Sequence, residues 1–415
     1  MLAGGLGRCS KSWGNGRLPS PRRAQFRIPN AAVLLTLMMV GMGWLCASAD
    51  ASDIRFPRPA SLEPNIRFWV DVFTGYSYRD FVVHDRDKIW KIYEVLRLPG
   101  EGPPTQDEVE WARAYLKIKY NRALSRLASG QKPSGYVEGR IAALFRNEPA
   151  QNYAVAADDL RVQQGMRERF REILVRGRGY QPAMKRIFRA AGLPVELTLL
   201  PSVESGYYTK ARSSAGAVGI WQFTRATGRQ YMTIRGRRDE RLNPIRSTEA
   251  AARLLGDNHA ALGNWPLAIT AYNHGANGMA RASAIHGSDL GRIVERYNGP
   301  RFGFASKNYY AEFLAALQVH KYEDKYFPGI KDEVAPIPPS VVQTASVASA
   351  KRTSRRHVNR TVTPTRRSRH HRVQPAVLRD GDDSSAPARL DGSNRSRAQH
   401  TKPRPARASA TGLKS

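Results

Sequence analysis

A mostly α-helical fold is what this chain predicts, on three observations. Apolar residues recur at helical spacing in one segment after another. Proline and glycine mark the breaks between those segments. No stretch carries the sustained period-two alternation of a half-buried strand.

The 415 residues leave room for one large or two ordinary domains. Residues 1–51 read as an export signal. Basic residues accumulate up to Arg27, an apolar run extends from Ala31 to about Cys46, and small residues follow at Ala47, Ala49 and Ala51. The run is short and interrupted by glycine, which argues against a membrane-spanning helix; an uncleaved anchor is the alternative. Both cysteines, Cys9 and Cys46, lie in this segment, so a processed chain would hold neither a disulfide nor a thiolate metal site. The expected location is the periplasm or cell envelope.

Residues 52–178 read as an N-terminal helical region. Phe68, Trp69, Val70 and Phe73 form a first apolar cluster, and Ile89 to Leu96 a second. Thr105 and Glu108 have the spacing of a capping box. The helix they open carries its stripe on Ala112, Leu116, Tyr120, Leu124 and Leu127, and Gly130 and Pro133 end it. Another helical run follows Asp158 and Asp159, with Val162, Met166, Phe170, Ile173 and Leu174 on one side. These positions are assigned to core and given no chemistry.

Residues 179–328 form the next unit. Met184, Ile187, Phe188 and Ala191 lie at i, i+3, i+4 and i+7, with Gly192 as a C-terminal stop. Pro194 suits a first helical turn. Ser247 and Thr248 are expected to cap a helix through Leu254 and Leu255 that Gly263 stops. Trp265 and Pro266 begin another, closed by Gly275, and Tyr310, Phe313, Leu314 and Leu317 mark the last.

Residues 329–415 are a Pro/Ser linker and an Arg-rich tail. The chain has a formal charge of +31, and from Lys351 to Ser415 there are 17 Lys+Arg against 4 Asp+Glu with no aromatic residue. Such a segment buries too little apolar surface to offset its ordering entropy and is expected to be disordered. Its charge suits anionic envelope polymers, held with strong salt dependence, or a solvated tail with no single partner. No nucleic acid is expected as a partner of an exported chain.

The chemistry concentrates between Leu193 and Phe223. No charged residue lies from Leu197 to Val203, so Glu204 ends an apolar run beside a loop of Gly, Ser and aromatics. A carboxyl group there can have its pKa raised by desolvation, as a general acid requires near neutral pH. Taken alone, it could equally be a solvated glutamate at a helix end. Two further motifs follow it, Gly219-Ile220-Trp221-Gln222-Phe223 and Ala271-Tyr272-Asn273-His274-Gly275. Each is weak singly, but their order within about 75 residues is specific.

With these motifs in place, the chain resembles the lytic transglycosylases with a goose-type-lysozyme-like catalytic domain, most of all the membrane-bound transglycosylase D group. The likeness runs from about Gly179 to Tyr322 and includes ELTLLPSVESGY, AGAVGIWQF, TGRQY, DERLNP, STEAAARLL, NWPLAITAYNHG and KNYYAEFLAAL. It implies a lysozyme-like α-helical catalytic domain. It also implies cleavage of the β-1,4 bond between N-acetylmuramic acid and N-acetylglucosamine in peptidoglycan, leaving a 1,6-anhydromuramic acid end without water. Glu204 would be the single acid/base. By the same resemblance Gln222 and Asn273 would hydrogen-bond sugar groups, Tyr272 would approach Glu204 or the sugar, and Ser205 would help to fix the acid. Tyr207, Trp221 and Tyr231 are aromatic candidates for sugar packing, each with a core role as the alternative. Tyr309, in the closing helix, is a further candidate contact. No cofactor and no metal are implied.

Three positions could supply the second carboxylate that is usual in glycosidases. Glu196 precedes Glu204 by roughly 12 Å of helix and suits a first-turn role. Asp239 and Glu240 suit ion pairs with nearby arginines. His274 has no ligand spacing with another acid or histidine and reads as structural. The LysM modules common in the transglycosylase D group are replaced here by the basic tail. Two alternatives remain open: a catalytically silent wall-binding protein, and a lysozyme-like muramidase that admits water.

Overall fold

The computed structural model describes residues 55–333, and the expected export signal and the basic tail lie outside them. Helices dominate the described residues, which makes the fold mostly α. In chain order they comprise α1 (Glu63–Thr74), β1 (Asp80–His84), β2 (Ile92–Arg97), α2 (Gln106–Ala128), α3 (Gly135–Leu144), α4 (Gln151–Asp158), β3 (Arg161–Gln164), α5 (Arg167–Arg178), α6 (Gln181–Ala190) and α7 (Leu200–Glu204). Then come α8 (Arg225–Tyr231), a two-strand ribbon of β4 (Ile234–Arg235) and β5 (Arg238–Asp239), α9 (Pro244–Leu262), α10 (Trp265–His274), α11 (Ala276–His286), α12 (Leu290–Arg296), α13 (Phe304–Lys321) and the short α14 (Glu323–Tyr326).

Two hydrophobic clusters hold these elements. The smaller joins Phe81, Val83 and Tyr93 to the α2 stripe, and all five predicted stripe residues are buried in it. The α2 capping box forms as expected: the Thr105 hydroxyl accepts from the Glu108 amide at 3.2 Å, and Glu108 Oε2 accepts from the Thr105 amide at 2.7 Å. The larger cluster runs from α1 to α13. Inside it the buried Asn65 amide donates to Asn308 Oδ1 at 2.9 Å, so a polar pair fixes the register of α1 on α13. The larger cluster thus joins the first helix of the N-terminal region to the helices that follow residue 179.

The structure corrects the helical reading of the N-terminal region in two places. Ile89–Leu96 is not helical: Ile92–Arg97 is strand β2, and Val162 lies in β3. With β1 they form an antiparallel sheet of order β2-β1-β3. Their alternation is hidden for physical reasons. All five positions of β1 are buried, β2 carries apolar residues on both faces, and β3 is four residues long with one apolar member. The cap of α9 also differs. Asn243 Oδ1 accepts from the amides of Ile245 and Arg246 at 2.9 and 3.0 Å, with Pro244 at the first helical position. Ser247 and Thr248 instead turn their hydroxyls back on the Asn243 and Pro244 carbonyls inside the first turn.

Candidate active site

Glu204 is placed by the way its helix stops. Pro194 opens a single 3₁₀ turn, Val195–Leu199, which hands over to α7. Helix α7 ends at Glu204 because Gly206 and Tyr207 follow with φ of 57° and 62°, a conformation that is costly for tyrosine and holds only where the surroundings impose it. They do so here. The Tyr207 ring is fully buried, its hydroxyl donates to the Thr198 carbonyl at 3.1 Å, and Gln181 Nε2 donates to that hydroxyl at 2.7 Å. Arg176 donates to the Gly206 carbonyl at 2.7 Å. Tyr207 therefore has no face for a sugar, and its expected substrate contact is replaced by a core role.

The loop through GIWQF forms the next wall. Gly219 takes φ of 84° and its amide donates to the Ala211 carbonyl at 2.9 Å. Gln222 takes φ of 48° and directs both amide donors inward, to Gly219 O at 2.8 Å and Ala211 O at 3.3 Å. Arg241, itself buried and paired with Asp239 at 2.7 Å, donates to the Phe223 carbonyl at 3.1 Å and fixes the far end of the loop. Trp221 is fully buried and donates to Thr248 Oγ1 at 2.8 Å, so it too is core. Tyr231 donates to Asp257 at 2.9 Å.

Three hydrogen bonds tie together this loop, the segment at Glu204 and the closing helices, and one of them reaches the Glu204 carboxyl group. The Ser205 hydroxyl donates to the Ile220 carbonyl at 2.7 Å, tying the residue after Glu204 to the loop. The Tyr272 hydroxyl, from α10, donates to the Trp221 carbonyl at 2.7 Å. From α13 the Tyr309 hydroxyl donates to Glu204 Oε1 at 2.5 Å. Tyr309 is only 4% exposed, so it serves the carboxyl group more than it faces a sugar. Asn273 is exposed beside them, with Oδ1 accepting from Ser306 at 2.8 Å.

The electrostatics follow from this packing. Glu204 keeps an accessible edge but is otherwise enclosed by protein, and desolvation raises its pKa to about 7; the Tyr309 hydroxyl acts against that rise. Burial, with the nearby Glu204 charge, pushes the Tyr272 and Tyr309 hydroxyls well above their ordinary value. The three carboxylates considered from sequence are occupied elsewhere. Glu196 pairs with Arg55 at 2.8 Å, and Asp239 and Glu240 pair with Arg241 and Arg238, both at 2.7 Å. Their arginine partners and backbone amides hold Asp239 and Glu240 below the usual carboxylate range.

One carboxyl group escaped the sequence reading. Glu312 follows Tyr309 by one turn of α13, and burial, then the charge of Glu204, raise its pKa to about 8. The available signal was a lone acid inside the apolar run of YYAEFLAAL. His274 packs edge-on against Phe302 at 5.0 Å and is held below its ordinary value by desolvation, a structural setting. Among the described residues no group of three or more His, Cys, Asp or Glu is placed to hold a metal ion, and no helix is long and apolar enough to cross a membrane.

Tyr309→Phe is expected to raise the Glu204 pKa, since the lost hydrogen bond favoured the carboxylate form. The alkaline limb of a pH–rate profile should move up while the maximal rate falls about tenfold, the worth of one charge-assisted bond. An unmoved limb would refute that role for Tyr309.

The fold and site together define a lysozyme-like helical domain that presents the desolvated Glu204 carboxyl group between a short helix, a glycine loop and two closing helices. Residues 184–292 match the family described as Transglycosylase SLT domain. It is 33% identical over 136 residues to the membrane-bound lytic murein transglycosylase D of Escherichia coli strain K12, an overlap of 32% of this chain and 30% of the relative. The same figures hold for the protein of that name from Escherichia coli O6:H1. The chain thus spans under a third of the length of these relatives.

Proposed function

We propose that this protein is an exported peptidoglycan lytic transglycosylase with Glu204 as its single acid/base. The observation that carries the reading is the Glu204 site itself: a desolvated carboxyl group near neutral pKa, held by Tyr309. The SLT domain match and the two murein transglycosylase relatives support the substrate class.

In the proposed reaction, protonated Glu204 donates to the glycosidic oxygen as the bond to the anomeric carbon breaks. The resulting carboxylate then takes the proton of the muramic C6 hydroxyl, whose oxygen attacks the same carbon. Glu204 ends protonated again, the leaving sugar carries a new hydroxyl, and no water is consumed. One protein carboxyl group suffices because the nucleophile belongs to the substrate, which accords with Glu196, Asp239 and Glu240 being engaged in ion pairs elsewhere. Gln222 and Asn273 are proposed to hydrogen-bond sugar hydroxyl and acetamide groups.

Mass spectrometry of soluble fragments released from isolated peptidoglycan tests this. Anhydro-ended fragments from the wild type, absent with Glu204→Gln, are expected. Fragments one water heavier would replace the reading with muramidase activity. Cosedimentation with the wall and no fragments from either protein would replace it with a binding role.

A further inference from the structure

Helix α1 gives Asn65 and Trp69 to α13, while Glu63, Arg67, Phe68 and Asp71 of the same helix line a groove of about 410 Å³ with Trp90 and Ile92. That volume lies within the range of pockets that take small ligands. The turn that carries Trp90 is clamped. Asp85 Oδ1 accepts from the amides of Asp87 and Lys88 at 2.9 and 2.7 Å, and Ile89 is fully buried. Lys91 is also buried, with its ammonium group on Glu148 at 2.6 Å and over the Phe145 ring at 3.7 Å. Between these two inward-facing neighbours Trp90 is left 44% exposed. Scattered exposed apolar side chains are ordinary, but this indole forms the wall of a cavity and is held there.

The polar groups of the groove are unequally engaged. Glu63 is closed on by Arg58 at 3.0 Å and by Arg67 at 3.3 Å. Asp71 is not: among the described residues no donor or cation meets its carboxyl group, and desolvation raises its pKa above the ordinary value. The two acids and two arginines balance in formal charge, so the groove has no local net charge to draw an ion. A neutral ligand with an apolar face and hydroxyl donors suits such a setting.

We propose that this groove binds a saccharide unit of a peptidoglycan strand outside the Glu204 site, an inference that rests on the reading of the protein as a peptidoglycan enzyme. The Trp90 ring packs on the C–H face of the sugar, the Asp71 carboxylate accepts from its hydroxyl groups, and Arg67 donates to its oxygens. A second hold on one strand raises the effective concentration of long substrates at the enzyme without altering the chemistry at Glu204.

The test is fluorine-19 NMR of the full chain labelled with 5-fluorotryptophan and titrated with a β-1,4-linked N-acetylglucosamine tetramer. Comparison with Trp90→Phe assigns the Trp90 signal among those of the seven tryptophans. A saturable shift of that signal is expected. An unmoved Trp90 signal overturns the proposal, as does a shift produced by the diamine cadaverine and not by the tetramer, which would mark an amine site. Sedimentation with isolated peptidoglycan gives a second reading, in the Glu204→Gln background to keep the wall uncut and in about 0.5 M salt to screen the basic tail. There Trp90→Ala should weaken binding about tenfold and Asp71→Asn about threefold, with unchanged melting temperatures. Unchanged binding in both variants would likewise sink the idea. Should the wild type release no fragments, the transglycosylase reading fails by itself, and the tetramer titration still decides the groove.

Discussion

Glu204→Gln should lower fragment release about a thousandfold, the middle of the range for removal of a general acid/base, and should at the same time stabilise the protein at alkaline pH. The second effect follows from linkage. The folded-state pKa of about 7 lies above the ordinary glutamate value of 4.5, so the folded form binds its proton more tightly than the unfolded chain. The associated stability is fully present below about pH 4.5 and is lost as pH rises through 7. A shift of this size corresponds to about 3 kcal/mol at full burial, and the accessible edge of Glu204 reduces it to about 2 kcal/mol. Thermal melts should therefore coincide for wild type and variant at pH 4 and separate by a few degrees at pH 8, the variant higher. Coincident melts at both pH values would mean that Glu204 is solvated, and the acid assignment would lose its physical basis.

Gly219→Ala should be the most disruptive single methyl group in the site. At φ of 84° an added Cβ is strained in itself, and it would collide with the Arg241 carbonyl oxygen, which is backbone and cannot swing away. About 3 kcal/mol or more of stability should be lost, measurable by denaturant unfolding. Activity should fall further than stability accounts for, because the same loop supplies the Ile220 carbonyl to Ser205 and the Trp221 carbonyl to Tyr272. A variant that unfolds at the wild-type denaturant concentration would show that the loop has room to move. By contrast, Gly216, also at positive φ, has nothing within 4 Å of an added Cβ and should pay only the backbone strain.

Much of this site was legible in the chain because its signals are local. A charge-free run ending at Glu204, a glycine motif at 219–223 and a tyrosine-asparagine pair at a helix end are each spelled by neighbours in sequence. The helices were legible for the same reason, since their stripes and caps recur within a few residues, as at Thr105 and Glu108. The small sheet was not: strands buried on both faces, or only four residues long, leave no period-two signature.

The sequence by itself determined the helical class, the order of the motifs and the identity of the acid candidate. Tertiary structure decided what each polar group does. It drew Tyr207 and Trp221 into the core, turned Tyr309 onto Glu204, locked Asp239 and Glu240 onto arginines, and brought Glu312 within electrostatic reach of a residue 108 positions earlier. Burial and the charge of distant neighbours set the proton affinity of a carboxyl group, and both exist only once helices far apart in the chain have packed together.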